Sequence, residues 1–181
     1  MLLWVILGII ALLAIFVIAT YNGLIKLKNR VQEADSDIDV QLKRRYELIP
    51  NLVEAVKGYA KHEKELFEKV TKERSSLVTG STAQKVEASN AMTDTLKTIF
   101  AVAESYPELK ANQNFLQLQT DLTDTQDKIM AAQRFYNGNV RDFNTKLQVF
   151  PTNIYAKMLG FKEFGFIEAG EVEKKNVEVK F

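Results

Sequence analysis

From Met1 to Thr20 the chain carries no ionisable side chain, and the first charge after the amino terminus is Lys26. A helix of that length rises about 30 Å, the thickness of the hydrocarbon layer of a bilayer. Trp4 and Tyr21 stand near its two ends, where aromatic rings favour the membrane–water boundary. A cleaved signal peptide is the alternative, with Val17 and Ala19 as the small residues of a weak cleavage site. It fits less well, because no Lys or Arg precedes the run and the run exceeds an ordinary signal core. The pattern therefore predicts a retained transmembrane anchor over 1–20. Lys26, Lys28 and Arg30 follow it closely, with Lys43, Arg44 and Arg45 beyond, and no basic side chain lies before it. The positive-inside tendency then predicts an outside amino terminus and a cytoplasmic remainder.

Past the span the period changes to that of an amphipathic helix. Leu24, Val31 and Ile38 recur at seven-residue steps, with Leu27, Ala34 and Leu42 on the same stripe. A boundary is expected near Leu48 or Ile49, since Pro50 disfavours the helical conformation at the residue before it. A hairpin and a kink at Pro50 both fit. Leu52, Val56, Tyr59, Leu66, Val70 and Leu77 then mark the face of a second helix. Thr79 to Thr82 reads as a turn, and Ser81 with Gln84 has the spacing of a capping box that starts a third, with Met92, Leu96, Ile99 and Ala103 inside. Pro107 and Glu108 restart the chain once more. Phe115, Leu118, Leu122, Thr125, Ile129, Ala132, Tyr136, Val140, Phe143, Leu147 and Phe150 follow at three- and four-residue steps, about five heptads in one register.

These elements predict an all-α protein: one N-terminal transmembrane helix, then an antiparallel up-and-down four-helix bundle with long helices over 21–160. A tail over 161–181 follows a brief helix ending at Gly160. Its Phe161, Phe164 and Phe166 are expected to pack back on the bundle, and Val177, Val179 and Phe181 alternate with charges as a short strand or a free end would.

Composition narrows the function. Lys and Arg number 24 against 23 Asp and Glu, so the basic excess of a nucleic-acid binder is missing. With no Cys, disulfide frameworks, thiolate metal sites, thiol nucleophiles and cysteine lipidation are excluded. His62-Glu63 opens the zinc-protease motif, but Leu66 stands where the second His is required, and His62 is the single His of the chain. Gly160 and Gly165 have phosphate-loop spacing, yet Phe166-Ile167 replaces the Lys and Ser or Thr. Asp35, Asp37 and Asp39 alternate around a helix, and Glu87, Glu104 and Glu108 lack the Glu-x-x-His partner of a di-iron bundle, so both sets read as solvated faces. No catalytic residue, metal site or cofactor is indicated.

Polar residues at core-like positions are more informative. Arg45 falls on the heptad of Leu24, Val31 and Ile38, where an apolar residue is expected. Arg134, Asn137 and Asn144 lie beside the seam of the last long helix, and Glu104 near the end of the one before it. A buried network of these five that fixes helix register is expected ahead of a binding site.

The stretches Tyr21-Asn22-Gly23-Leu24, Arg44-Arg45-Tyr46-Glu47-Leu48-Ile49-Pro50-Asn51-Leu52-Val53 and Glu104-Ser105-Tyr106-Pro107-Glu108-Leu109-Lys110-Ala111 resemble the LemA family of bacterial membrane proteins. Val56 to Ala60, Phe115 to Gln119, Arg134 to Asn137, Asn144 and Gly160-Phe161 extend the likeness over nearly the whole chain. Departures lie in the turn around Ser81 and in the charged tail. The resemblance implies a membrane helix followed by a helical bundle, and no catalytic residues to carry over. It implies a membrane scaffold: one relative takes part in organising magnetosome membranes, and some members are encoded beside a membrane metalloprotease. The expectation is a non-enzymatic, membrane-anchored interaction protein. Its partners would be the lipid bilayer through residues 1–20, a membrane or envelope protein, and a second copy of itself, with Tyr106, Pro107, Phe161, Phe164 and Phe166 as the candidate contact surface. An adaptor of a membrane protease in envelope stress, a self-assembling membrane organiser, and an enzyme using Glu104 or Arg45 are the alternatives.

Overall fold

The computed structural model describes residues 1–60 and 63–168. His62 and the alternating Val177, Val179 and Phe181 lie outside the described residues. Among the described residues the chain is all-helical and forms no strand. Its helices are α1 (Leu2–Lys57), α2 (Lys64–Ser76), α3 (Thr82–Ala103), α4 (Pro107–Lys110), α5 (Gln113–Gln148) and α6 (Thr152–Tyr155).

Two compact units divide the chain, and both long helices contribute to each. The first gathers Met1–Ala34 and Phe135–Phe166, the second Asp35–Arg134 with Ile167 and Glu168.

In the first unit the apolar start of α1 is exposed from Met1 to Ala19, and burial begins abruptly at Thr20. This is a single helix long and apolar enough to cross a membrane among the described residues. Beyond it Leu24 and Val31 are buried, as are Tyr136, Val140, Phe143 and Leu147 on α5. Phe161 packs its ring against Tyr21 (5.6 Å between centroids) and Phe143 (6.3 Å), and Phe164 packs against Phe143 (5.2 Å). The turn of chain after α6 stops at Gly160, whose φ of 78° suits glycine. The Phe161 N–H donates to the Ala156 carbonyl and the Gly160 N–H to that of Lys157, closing a Schellman motif. Phe150, expected on the seam, is exposed: α5 stops at Gln148, since Pro151 disfavours helix at the residue before it.

The second unit holds the larger apolar core. Ile49, Leu52 and Val56 of α1 meet Phe67 and Val70 of α2, Met92, Leu96 and Ile99 of α3, then Leu109, Phe115 and Leu122. The buried α1 positions Ile38, Leu42, Arg45, Ile49, Leu52 and Val56 alternate at three- and four-residue steps, the drift of a 3.6-residue helix across a seven-residue repeat.

Pro50 neither ends nor reverses α1, which runs on to Lys57, so the expected boundary at Leu48–Ile49 is corrected. A proline there removes one backbone donor and costs about 3 kcal/mol in a bare helix. Two features offset it. Ile49, Leu52, Val53 and Val56 are all buried around the proline. The Tyr46 carbonyl, four residues earlier and left without its helical donor, accepts instead from Arg74 Nε at 2.9 Å. The same guanidinium lies 3.7 Å from the centre of the Tyr46 ring.

The expected second helix is consequently divided. Leu52 and Val56 end α1, Tyr59 lies in the following turn, and α2 begins only at Lys64. The break falls after Lys57 at Gly58, with the Tyr59 and Ala60 N–H groups both donating to the Val56 carbonyl. The capping box at α3 forms as expected: Gln84 N–H donates to Ser81 Oγ, and Ser81 N–H to Gln84 Oε1 at 2.9 Å. Pro107 opens only the four-residue α4. Asn112 then caps α5, accepting from the Phe115 N–H at 3.2 Å, so the expected fourth helix is two elements.

Candidate functional site

Arg45 is 2 % exposed although it carries a full charge. The seven-residue register that buries Ile38 and Leu52 carries it inward with them, and its guanidinium ties three helices of the second unit together. Nη1 donates to the Ser89 carbonyl at 3.0 Å and to Ser89 Oγ at 2.7 Å, both on α3. Nη1 also reaches Gln126 Oε1 on α5, while Nη2 donates to Thr93 Oγ1 at 2.9 Å. Thr93 Oγ1 in turn donates to the Ser89 carbonyl (3.0 Å) and lies 3.2 Å from Gln126 Oε1. All these acceptors are neutral, and among the described residues no carboxylate forms an ion pair with Arg45. Burial pulls its pKa down to about 10, which leaves it cationic at neutral pH. Its Nε has no hydrogen-bond partner. A charge so enclosed, held by fixed dipoles on three helices, is a structural tie: displacing any one helix strands a buried ion.

Its neighbour Arg44 faces outward and joins α1 to α5 at the surface, 3.9 Å from Asp121 and 3.7 Å from Asp124. The Lys128 ammonium, hydrogen-bonded to Asp124, holds that carboxyl below its ordinary value, with Lys128 and Arg44 charge adding to the effect. Asp39 is not a purely solvated carboxylate as expected. Both its oxygens accept from Lys85 Nζ at 2.9 Å, linking α1 to α3.

The five residues expected to form one polar network do not form it. Asn144 belongs to the first unit, where Nδ2 donates to the Phe164 carbonyl (2.9 Å) and Oδ1 accepts from the Phe164 N–H (3.0 Å). Tyr136 Oη donates to the Gly165 carbonyl at 3.2 Å beside it. Asn137 is half-buried, and Glu104 and Arg134 are exposed. Periodicity found Arg45 and Asn144 because both fall on buried stripes, but Ser89, Thr93 and Gln126 were missed. The signal available for them was weak: Ser89 and Thr93 lie one turn apart on the buried side of α3, and Gln126 adjoins the buried Thr125.

Of the candidate contact residues, Tyr106 is half-buried against the second unit's core and Pro107 is exposed. Phe161 and Phe164 cap the first unit's core, leaving Phe166 exposed. Among the described residues no three His, Cys, Asp or Glu side chains converge as metal ligands would.

The model of the LemA family matches residues 34–181. Protein LemA of Metamycoplasma hominis is 30 % identical over 159 residues, covering 87 % of this chain and 73 % of that protein. Magnetosome protein MamQ 2 of Paramagnetospirillum magneticum is 22 % identical over 190 residues, covering 90 % of this chain and 70 % of its own. Magnetosome protein MamQ of Magnetospirillum gryphiswaldense is 21 % identical over 169 residues, covering 78 % and 62 %.

Proposed function

This chain belongs to the LemA family, and on that premise we propose that it is a non-enzymatic scaffold anchored in the cell membrane by residues 1–20. The supporting observation is that α1 runs without interruption from the exposed apolar stretch to Lys57. A helix continuous with a membrane span passes any force or change of tilt to the residues packed along it. Arg45 serves this role as a register lock, not as a catalytic group, since both its Nη groups donate to the protein itself.

The scaffold presents its surface in the cytoplasm, in keeping with Lys26, Lys28 and Arg30 just after the span. The cysteine-free sequence makes this direct to test: single cysteines at Ser81 and Asn112 are protected from an impermeant thiol reagent in intact cells. Labelling of both sites would reverse the orientation. The scaffold role predicts discrete heavier species when the tagged full chain is crosslinked in its own membrane and then solubilised. Recovery at monomer mass alone would overturn it. A membrane-organising assembly of many copies is the second reading, favoured by the relatives named as magnetosome proteins. It predicts that the heavier species contain only this chain.

A further inference from the structure

We propose that the corner joining α5 to the tail, residues 149–160, is a second membrane-binding element that inserts its apolar side chains into the lipid–water interface beside the span. The proposal rests on the membrane location of residues 1–20 and not on the scaffold role.

Three observations within the first unit carry it. The first is depth. Side chains of α1 are exposed up to Ala19, and burial against the protein begins at Thr20. The boundary of the apolar span therefore coincides with the level at which the protein starts to pack on it. Phe161, the residue that follows the corner, is in ring contact with Tyr21 at that boundary. The corner is thus fixed at headgroup depth by the fold itself.

The second is an apolar surface with no occupant. Phe150 is 79 % exposed, Ile154 62 % and Met158 86 %. They follow one another at four-residue steps through a stretch with helical hydrogen bonds from Asn153 to Val149, Ala156 to Thr152 and Leu159 to Tyr155. Ile154 and Met158 therefore share a face. Residues of this size gathered in one exposed patch mark an interaction surface.

The third is charge. Lys146, Lys157 and Lys162 flank the patch, all exposed, and none is ion-paired with a carboxylate among the described residues. Lys157 and Lys162 line a cleft of about 790 Å³ together with Leu147, Gly160, Phe161 and one carboxylate, Glu163, which accepts from Gln148 Nε2 at 2.9 Å. Apolar side chains beside lysines that outnumber the carboxylates, with stems that can reach up to phosphates, are the composition of an interfacial element on an anionic bilayer.

The test uses the full chain reconstituted in vesicles of phosphatidylcholine with phosphatidylglycerol. Single cysteines at Phe150, Ile154 and Met158 carry an environment-sensitive dye, with Ile10→Cys as a reference in the span and Arg141→Cys as a reference on exposed α5. All three corner sites are exposed, so substitution there leaves the core intact. The expected result is blue-shifted emission at the corner, protection from aqueous iodide, and quenching by nitroxides attached near the top of the acyl chain more than by deep ones. Arg141→Cys remains open to iodide. Emission at the corner matching that of Arg141→Cys, while Ile10→Cys is deep in lipid, overturns the proposal and leaves the span standing. A blue shift that grows with the protein-to-lipid ratio, with disulfide crosslinking of Met158→Cys between copies, also overturns it, because the occupant is then a second copy.

Discussion

Around Arg45 the second unit keeps a whole positive charge in its interior, whereas around Asn144 the first unit uses a neutral amide against backbone. The Arg45 donors reach side chains and a carbonyl on two other helices. The two Asn144 bonds close on one residue, Phe164, in the manner of a strand pair. The difference follows from what each must hold. Long helices slide past one another at little cost when only apolar stripes meet, and a buried ion with directional partners makes sliding expensive. A tail needs no register, only an anchor for backbone groups that helix formation leaves unmatched.

The largest expected effect breaks the charged side of this comparison. Arg45→Ala should cost about 3–5 kcal/mol in chemical denaturation of the full chain in micelles, because it opens a cavity and leaves polar partners buried together. Arg45→Met restores volume and removes the ion, so its cost should be well below that of Arg45→Ala. Equal stability of wild type and Arg45→Ala would show that the three helices hold register without it.

Next in size is the amide. Asn144→Ala should cost roughly 1–3 kcal/mol by removing both bonds to Phe164. Amide exchange should quicken at Phe164 and leave the residues around Arg45 unchanged. Exchange that quickens equally in both units would dissolve the distinction between them.

The smallest effect sharpens it, by asking whether a polar contact can serve one proline. Arg74→Met should cost roughly 1–2 kcal/mol while Pro50 leaves the Tyr46 carbonyl without a helical donor. In a Pro50→Ala background the helix supplies that donor, and the cost should fall by half or more in a double-mutant cycle. Additive costs would mean that Arg74 acts only through the Tyr46 ring.

Much of the architecture was legible before any coordinates. The apolar span, the capping box at Ser81, the stripe from Phe115 to Leu147 and the stop at Gly160 each rest on interactions between residues a few positions apart. The errors have the opposite character. The local preference of Pro50 is against helix and predicts a boundary, but its compensating donor, Arg74, reaches a carbonyl 28 residues away. The heptad turns Arg45 inward, but its partners Ser89 and Gln126 lie 44 and 81 residues from it, beyond the reach of any local pattern. Glu104 and Arg134 offered the charge complementarity of a network, and both face solvent.

The amino-acid sequence by itself determined that this protein is helical, that residues 1–20 suit a bilayer, and which stripe of each long helix turns inward. Those are consequences of hydrophobic spacing, which acts along the chain and needs no knowledge of a neighbour. Only the tertiary structure decided which helix meets which, that Pro50 is tolerated within α1, and that Phe161 lies on Tyr21 at the edge of the span. Apolar stripes are interchangeable partners for one another. The choice among them is made by a few directional contacts between residues distant in sequence, and those exist only once the helices are side by side.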